Sequence, residues 1–187
     1  SEKGQSAAMI DRLLLNEKRL WDIITSLKEV AGLPDPVGIK FDEKDLPNGL
    51  HLYKQRVPIG VIAVIYESRP NVTIEVSSLA LKTGNAIILR GGTETIDTNR
   101  AFVQVLKLSM QQSGLPDEAV QFIDSPDRDL LFELLKMHEV VDMLIPRGGH
   151  QLHQFCRENS AIPVITGGIG ICHLFVDESA DLDASVK

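Results

Sequence analysis

The residues of this chain best suited to chemistry lie in three loops, each following a short apolar run. They are Arg90-Gly91-Gly92-Thr93, Pro146-Arg147-Gly148-Gly149 and Thr166-Gly167-Gly168-Ile169-Gly170. Glycine lets a backbone approach a ligand closely, and a helix that starts after such a loop offers unpaired N–H groups to a phosphate. Arg90 and Arg147 add positive charge suited to phosphate oxygens. A glycine after a strand is commonly just a turn; three of them on one edge of one sheet shift the reading toward a nucleotide or phosphorylated ligand. None is a G-x-G-x-x-G or G-x-x-x-x-G-K-[ST] sequence. A fourth polar loop, Glu67-Ser68-Arg69-Pro70-Asn71, leads into a helix. Asn71 there could donate its amide to a developing oxyanion, and residue type alone favours a helix cap. Cys172 and His173 are neighbours in an apolar stretch, so on a strand they face opposite ways and do not make a nucleophile pair. Cys156, next to Phe155 on a helix, reads as core.

These loops need elements to hold them. Gly60–Tyr66 and Ala86–Leu89 are apolar runs too short for buried helices, and Thr73–Lys82 between them has helical spacing. That makes a β-α-β unit, hence parallel strands with ligands expected outside their carboxyl ends. The alternation continues. Helices are expected over Thr93–Ser113 (buried stripe Ala101, Phe102, Val105, Leu106, Leu108), Pro126–Met137 (capped by Ser125) and His150–Ser160. Strands are expected over Ala119–Ile123, Val140–Ile145, Pro163–Thr166 and Ile171–Val176, with a helix starting at Asp181. The implied fold is α/β, a doubly wound, mostly parallel sheet with helices on both faces. Ahead of it, Ser6–Ala31 reads as helical with a break at Asn16-Glu17. Val37–Gly49 reads as an extended connector, and Leu50–Val57 as a half-exposed strand. Residues 1–56 are thus a helical lead-in and arm, and 57–187 a dinucleotide-binding α/β domain.

Composition excludes several classes. The net charge is −7, with 19 basic residues against 26 acidic and no basic run, which argues against nucleic-acid binding. The longest apolar run, Val61–Ile65, is far short of the roughly 20 residues that span a bilayer. There is no secretory signal pattern, and two cysteines do not make a disulfide framework, so a reducing cytoplasm is expected. The two cysteines lack the spacing and partners of a zinc site, and the one metal-like histidine spacing, His150/His153, reads as a solvated helix face, so no metal is expected.

The stretches VPIGVIAVIYESRPNVT, AIILRGGTE, DMLIPRGG and IPVITGGIGICHLFVDESADLD, with SAAMIDRLLL and LPDPVG near the start, resemble the gamma-glutamyl phosphate reductases. These glutamate-5-semialdehyde dehydrogenases belong to the aldehyde dehydrogenase superfamily. The resemblance implies a Rossmann-like cofactor domain of the aldehyde dehydrogenase type. It implies NADPH-dependent reduction of L-glutamyl 5-phosphate to glutamate 5-semialdehyde through a cysteine thioester, in proline biosynthesis. It places Arg90, Gly91, Gly92 and Thr93 along the adenosine ribose. Thr93 stands where many NAD-using relatives carry a glutamate, which favours NADPH. It places Pro146, Arg147, Gly148 and Gly149 near the pyrophosphate or nicotinamide, and Gly167 and Gly168 beside hydride transfer. It makes Asn71 the oxyanion candidate and Arg69 the contact for a substrate carboxylate or phosphate. It further implies a homo-oligomeric whole protein and contact with the glutamate kinase one step upstream. The family's nucleophilic cysteine lies in an Arg-Pro-x-x-Cys-Asn type motif that does not occur in this sequence. The chain therefore reads as an internal fragment that does not turn over substrate alone. The rival reading is a non-catalytic nucleotide-binding or interaction module.

Overall fold

The computed structural model describes residues 11, 13–67, 69–167 and 173–185. Its centre is β3 (Val61–Tyr66), buried from Ile62 onward. Successive side chains alternate faces. Ile62, Val64 and Tyr66 enter one core with Val72, Ala80, Val103 and Met110. Ala63 and Ile65 enter a second core with Leu134, Leu135, Leu144 and Cys156. Apolar residues are needed on both faces, which is why the sequence shows a continuous run and no alternation. The first core lies under α2 (Asn71–Lys82) and α3 (Ile96–Gln112), the second under α4 (Asp129–Leu134) and α5 (His150–Asn159).

β3 is flanked by β4 (Ala86–Arg90) and β6 (Met143–Arg147), and β4 by β5 (Val120–Phe122), all parallel in the order β5-β4-β3-β6. A parallel bridge from Leu144 to Val164 adds a fifth position beyond β6. Numbered along the chain, the parallel strands run 3-2-1-4-5. The order reverses between β3 and β6, which is where doubly wound sheets open a crevice at their carboxyl ends.

The lead-in consists of α1 (Glu17–Gly32) and a hairpin of β1 (Lys40–Asp45) and β2 (His51–Gln55). Asn16 caps α1 by accepting from the Arg19 N–H at 2.9 Å, so the expected break falls there. α1 packs along α2, and Lys82 Nζ donates to Ala31 O at 3.0 Å.

The structure corrects several expected elements. β1 lies inside the stretch read as a connector; it is exposed on both faces, so it has no apolar face to leave a pattern in the sequence. β2 is likewise exposed throughout rather than half-exposed. The buried face of α3 is Asn99, Val103 and Met110, with Val105 60% exposed. The expected stripe was out of phase because a polar residue, Asn99, occupies the core face. α4 begins only at Asp129, and Ser125 accepts from the Asp127 N–H in the turn before it. Pro146 and Arg147 belong to β6, not to the loop after it. Of the stretch expected to form a strand at Ile171–Val176, the described part, 173–176, has no strand partner. α6 (Leu182–Ser185) closes the described chain.

Candidate functional site

The carboxyl ends of the central strands are level. Ile65 pairs with Arg90 and Tyr66 with Arg147, so the loops after β3, β4 and β6 emerge on one rim. Between β3 and β6, Glu67 N donates to Arg147 O at 3.1 Å, and Glu67 Oε2 accepts from the Gly149 N–H at 3.0 Å. Gly149 precedes α5 and supplies no side-chain cap, so the Glu67 carboxylate, 82 residues away, caps that helix. A negative group at a helix N-terminus is stabilised by the unpaired N–H groups there. A Cβ on Gly148 would sit 2.6 Å from the Glu67 carboxyl carbon and 2.9 Å from Leu152 Cδ2, so a side chain there would push the Glu67 carboxylate off its cap.

Arg90 ends β4 with 8% of its surface exposed. Its Nη1 donates to Gly91 O and its Nη2 to Pro126 O at 3.3 Å, so the guanidinium spans from β4 to the loop after β5. Its Nε is buried without a partner. Burial pulls its pKa below the ordinary arginine range, Glu94 pulls the other way, and the like charge of Arg128 lowers it further. Thr93 is exposed at the start of a short 3₁₀ turn, Thr93–Thr95. The loop after β5 is tied to α3 by Arg100, whose Nε and Nη2 donate to the two Asp124 carboxylate oxygens at 2.6 and 2.7 Å.

Beside this rim a cleft of about 320 Å³ opens between α1 and the start of α2, lined by Arg19, Asp22, Arg69, Asn71 and Glu75 among others. Asn71 is the first residue of α2, not its cap. Pro70 already has helical backbone angles, so the helix boundary falls one residue earlier than a capping Asn would set it. The Asn71 amide instead donates to Glu75 Oε1 at 2.7 Å, one helical turn on, and both line the cleft with the exposed Arg69.

Residues 3–187 match the Aldehyde dehydrogenase family. The chain belongs to the aldehyde dehydrogenase family. It is 60% identical to a gamma-glutamyl phosphate reductase of Photorhabdus laumondii, over 99% of this chain and 44% of that protein. A crystal structure of gamma-glutamyl phosphate reductase from Thermotoga maritima superposes with a TM-score of 0.89 at 45% identity, covering 99% of this chain and 45% of that one. One from Saccharomyces cerevisiae gives 0.80 at 35% identity, covering 97% and 46%. The chain thus spans a little under half the length of these relatives.

In this aldehyde dehydrogenase chain the site residues read from sequence divide into groups. Arg90, Gly91, Gly92 and Thr93 sit on the same rim as Arg147, Gly148 and Gly149, with Pro146 buried in β6 just below. Gly167 follows the fifth strand position, near His153 (Cε1 4.0 Å from where a Cβ would be), and Gly168 lies outside the described residues. Arg69 and Asn71 line the neighbouring cleft. Cys156 is fully buried and its thiol is pushed up to about 11 by that burial; Cys172 lies outside the described residues. Among the described residues no cluster of three His, Cys, Asp or Glu side chains suits a metal, and no helix is long and apolar enough to cross a membrane.

Sequence reading missed Glu67 as a cap and the buried polar set Tyr66, Thr73, Thr95 and Asn99. The only local signal was Asn99 at helical spacing from Val103 and Met110. The Tyr66 hydroxyl is pushed up to about 12 by burial, against the pull of its hydrogen bond to Thr73 and the Arg90 charge. The folded chain holds this proton past the unfolded value of 10.0, so the stability it confers is complete below pH 10 and lost as pH rises toward about 12. Tyr66→Phe is expected to flatten that part of the stability profile, read from urea midpoints at a series of pH values. An unchanged fall above pH 10 would count against the assignment.

Proposed function

We propose that this chain is the cofactor-binding part of an enzyme that reduces L-glutamyl 5-phosphate to L-glutamate 5-semialdehyde and phosphate in proline biosynthesis, with NADPH as reductant. The observation that carries it is the shared rim. The Arg90–Thr93 and Arg147–Gly149 loops flank one crevice, in a chain 60% identical to a protein named for that reaction. NADPH supplies the hydride. The chain's own residues bind and orient it. Thr93 presents no negative charge to a 2′-phosphate, and Arg90 and Arg128 bring positive charge near the loop, opposed by Glu94. The Gly148–Gly149 turn at the start of α5 would lie near the pyrophosphate or the nicotinamide, with the Gly149 N–H held by the Glu67 carboxylate. In the cleft, Arg69 would hold the anionic end of the acyl phosphate, and the Asn71 amide, one N–H of which is on Glu75, would turn its other N–H to the oxyanion that forms on attack. Attack itself needs a thiol from the family's cysteine motif, which this sequence does not contain. The exposed hairpin β1–β2 carries Phe41 and Leu52 on one face and Tyr53 on the other, exposed apolar groups that a second copy would cover in a cytoplasmic homo-oligomer.

The test is a fluorescence titration of the 187-residue chain. Saturable NADPH binding without turnover is expected, with NADH weaker. No saturable binding would leave only the reading as a non-catalytic module. In the whole protein, Arg69→Ala is expected to lower kcat/KM for the acyl phosphate about 10- to 100-fold, the worth of one charged hydrogen bond. An unchanged kcat/KM would remove Arg69 from the site.

A further inference from the structure

Four side chains, from β3, α2, the Thr93–Thr95 turn and α3, form one buried hydrogen-bonded chain beneath the Gly91–Thr93 loop. Tyr66 Oη lies 2.7 Å from Thr73 Oγ1, and Thr73 Oγ1 donates to Asn99 Oδ1 at 2.9 Å. Asn99 Nδ2 donates to Thr95 Oγ1 at 3.0 Å, and Thr95 Oγ1 donates to Gly92 O at 3.1 Å. Thr73 and Asn99 are fully buried, Tyr66 and Thr95 nearly so. Each hydroxyl has one proton, which fixes every direction. Thr73 spends its proton on Asn99, so Tyr66 has to donate to Thr73. Thr95 spends its proton on Gly92 and accepts from Asn99. The Asn99 amide accepts on one side and donates on the other, so the chain runs one way, from the end of β3 to the Gly92 carbonyl.

Gly92 O also accepts from the Thr95 backbone N–H at 3.1 Å. Holding that carbonyl with two donors fixes the plane of the Gly92–Thr93 peptide, and peptide planarity sets the Thr93 N–H antiparallel to it. The Asn99 amide also lies where a Cβ on Gly91 would go, so the same side chain shapes two successive loop residues. Buried polar networks have high stakes: fully paired they specify one arrangement, and half-paired they cost more than an apolar core.

We propose that Tyr66, Thr73, Asn99 and Thr95 are positioning residues that hold the Arg90–Thr93 loop in its ligand-ready shape and thereby set affinity for the adenosine half of the cofactor. This rests on the cofactor reading above. It adds residues that touch no ligand themselves, and it links the ribose loop to the end of β3, where Glu67 borders the crevice.

The probe is 2′,5′-ADP, which carries the adenosine 2′-phosphate without the nicotinamide, titrated well below each variant's Tm. Thr95→Val keeps shape and removes the hydroxyl; Thr95→Ser keeps the hydroxyl. Thr95→Val and Asn99→Asp are expected to weaken 2′,5′-ADP about tenfold, the worth of one hydrogen bond, and Thr95→Ser to bind like the unchanged chain. Full affinity in a folded Thr95→Val chain would overturn the positioning role and leave the cofactor reading standing. Loss of affinity in Thr95→Ser equal to that in Thr95→Val would assign the effect to packing and overturn it as well. Failure of the unchanged chain to bind 2′,5′-ADP would overturn the cofactor reading itself. Should Asn99→Asp not fold, the Thr95 pair decides alone.

Discussion

Gly91→Ala is expected to destabilise the chain by about 2–5 kcal/mol, combining overpacking with a broken buried hydrogen bond. The added methyl would fall inside contact distance of Asn99 Nδ2 and lie 3.1 Å from Tyr66 Cε2. Neither neighbour can give way cheaply. Asn99 is fully buried and held by Thr73 on one side and Thr95 on the other. Tyr66 is packed in the first core with its hydroxyl on Thr73. The methyl therefore displaces the amide from its partners or lifts the loop. For a chain of this size the loss corresponds to a fall in Tm of roughly 5–15 °C. Gly92→Ala makes the control. Its methyl would meet the Glu94 carboxylate at 2.6 Å, the far end of an exposed side chain and not a buried amide. Its cost is expected below about 1 kcal/mol, the range of a surface change. Thermal melts that place the two variants together would show that the loop does not rest on Asn99 as described.

The second large effect is expected at Leu144→Ala, about 2–5 kcal/mol for a large-to-small change that leaves a cavity. Leu144 is fully buried near the start of β6. It pairs with Ala63 on β3 and bridges to Val164, and its side chain packs in the core with Leu134, Leu135, Val141 and Cys156. Ala63 opposite is already small, so little neighbouring bulk can fill the gap. Val105→Ala is the counter-test. At 60% exposed, Val105 is expected to cost within about 0.5 kcal/mol. Were it part of the buried stripe that helical spacing suggested, its loss would approach that of Leu144. Urea unfolding of both variants separates the two assignments, with the midpoint shift as the readout.

Much of the architecture is legible from residue order alone. The apolar runs at β3, β4 and β6, the helical spacing of α2 and the glycine loops each depend on about a dozen neighbouring residues, and local pattern is enough to find them. Two properties of the site follow from the same rules: parallel strands put their following loops on one rim, and Cys156 among apolar neighbours is core. What local pattern could not supply depends on partners far along the chain. β1 is a strand only because β2 pairs with it. Asn99 faces the core because Thr73 and Thr95 satisfy its amide there; without them burial would cost more than it returned. Glu67 caps α5 from 82 residues away. Arg90 is drawn under its loop by carbonyls at Gly91 and Pro126. In each case residue type permits several positions, and only the packed chain, by leaving one of them with its hydrogen bonds complete, selects among them.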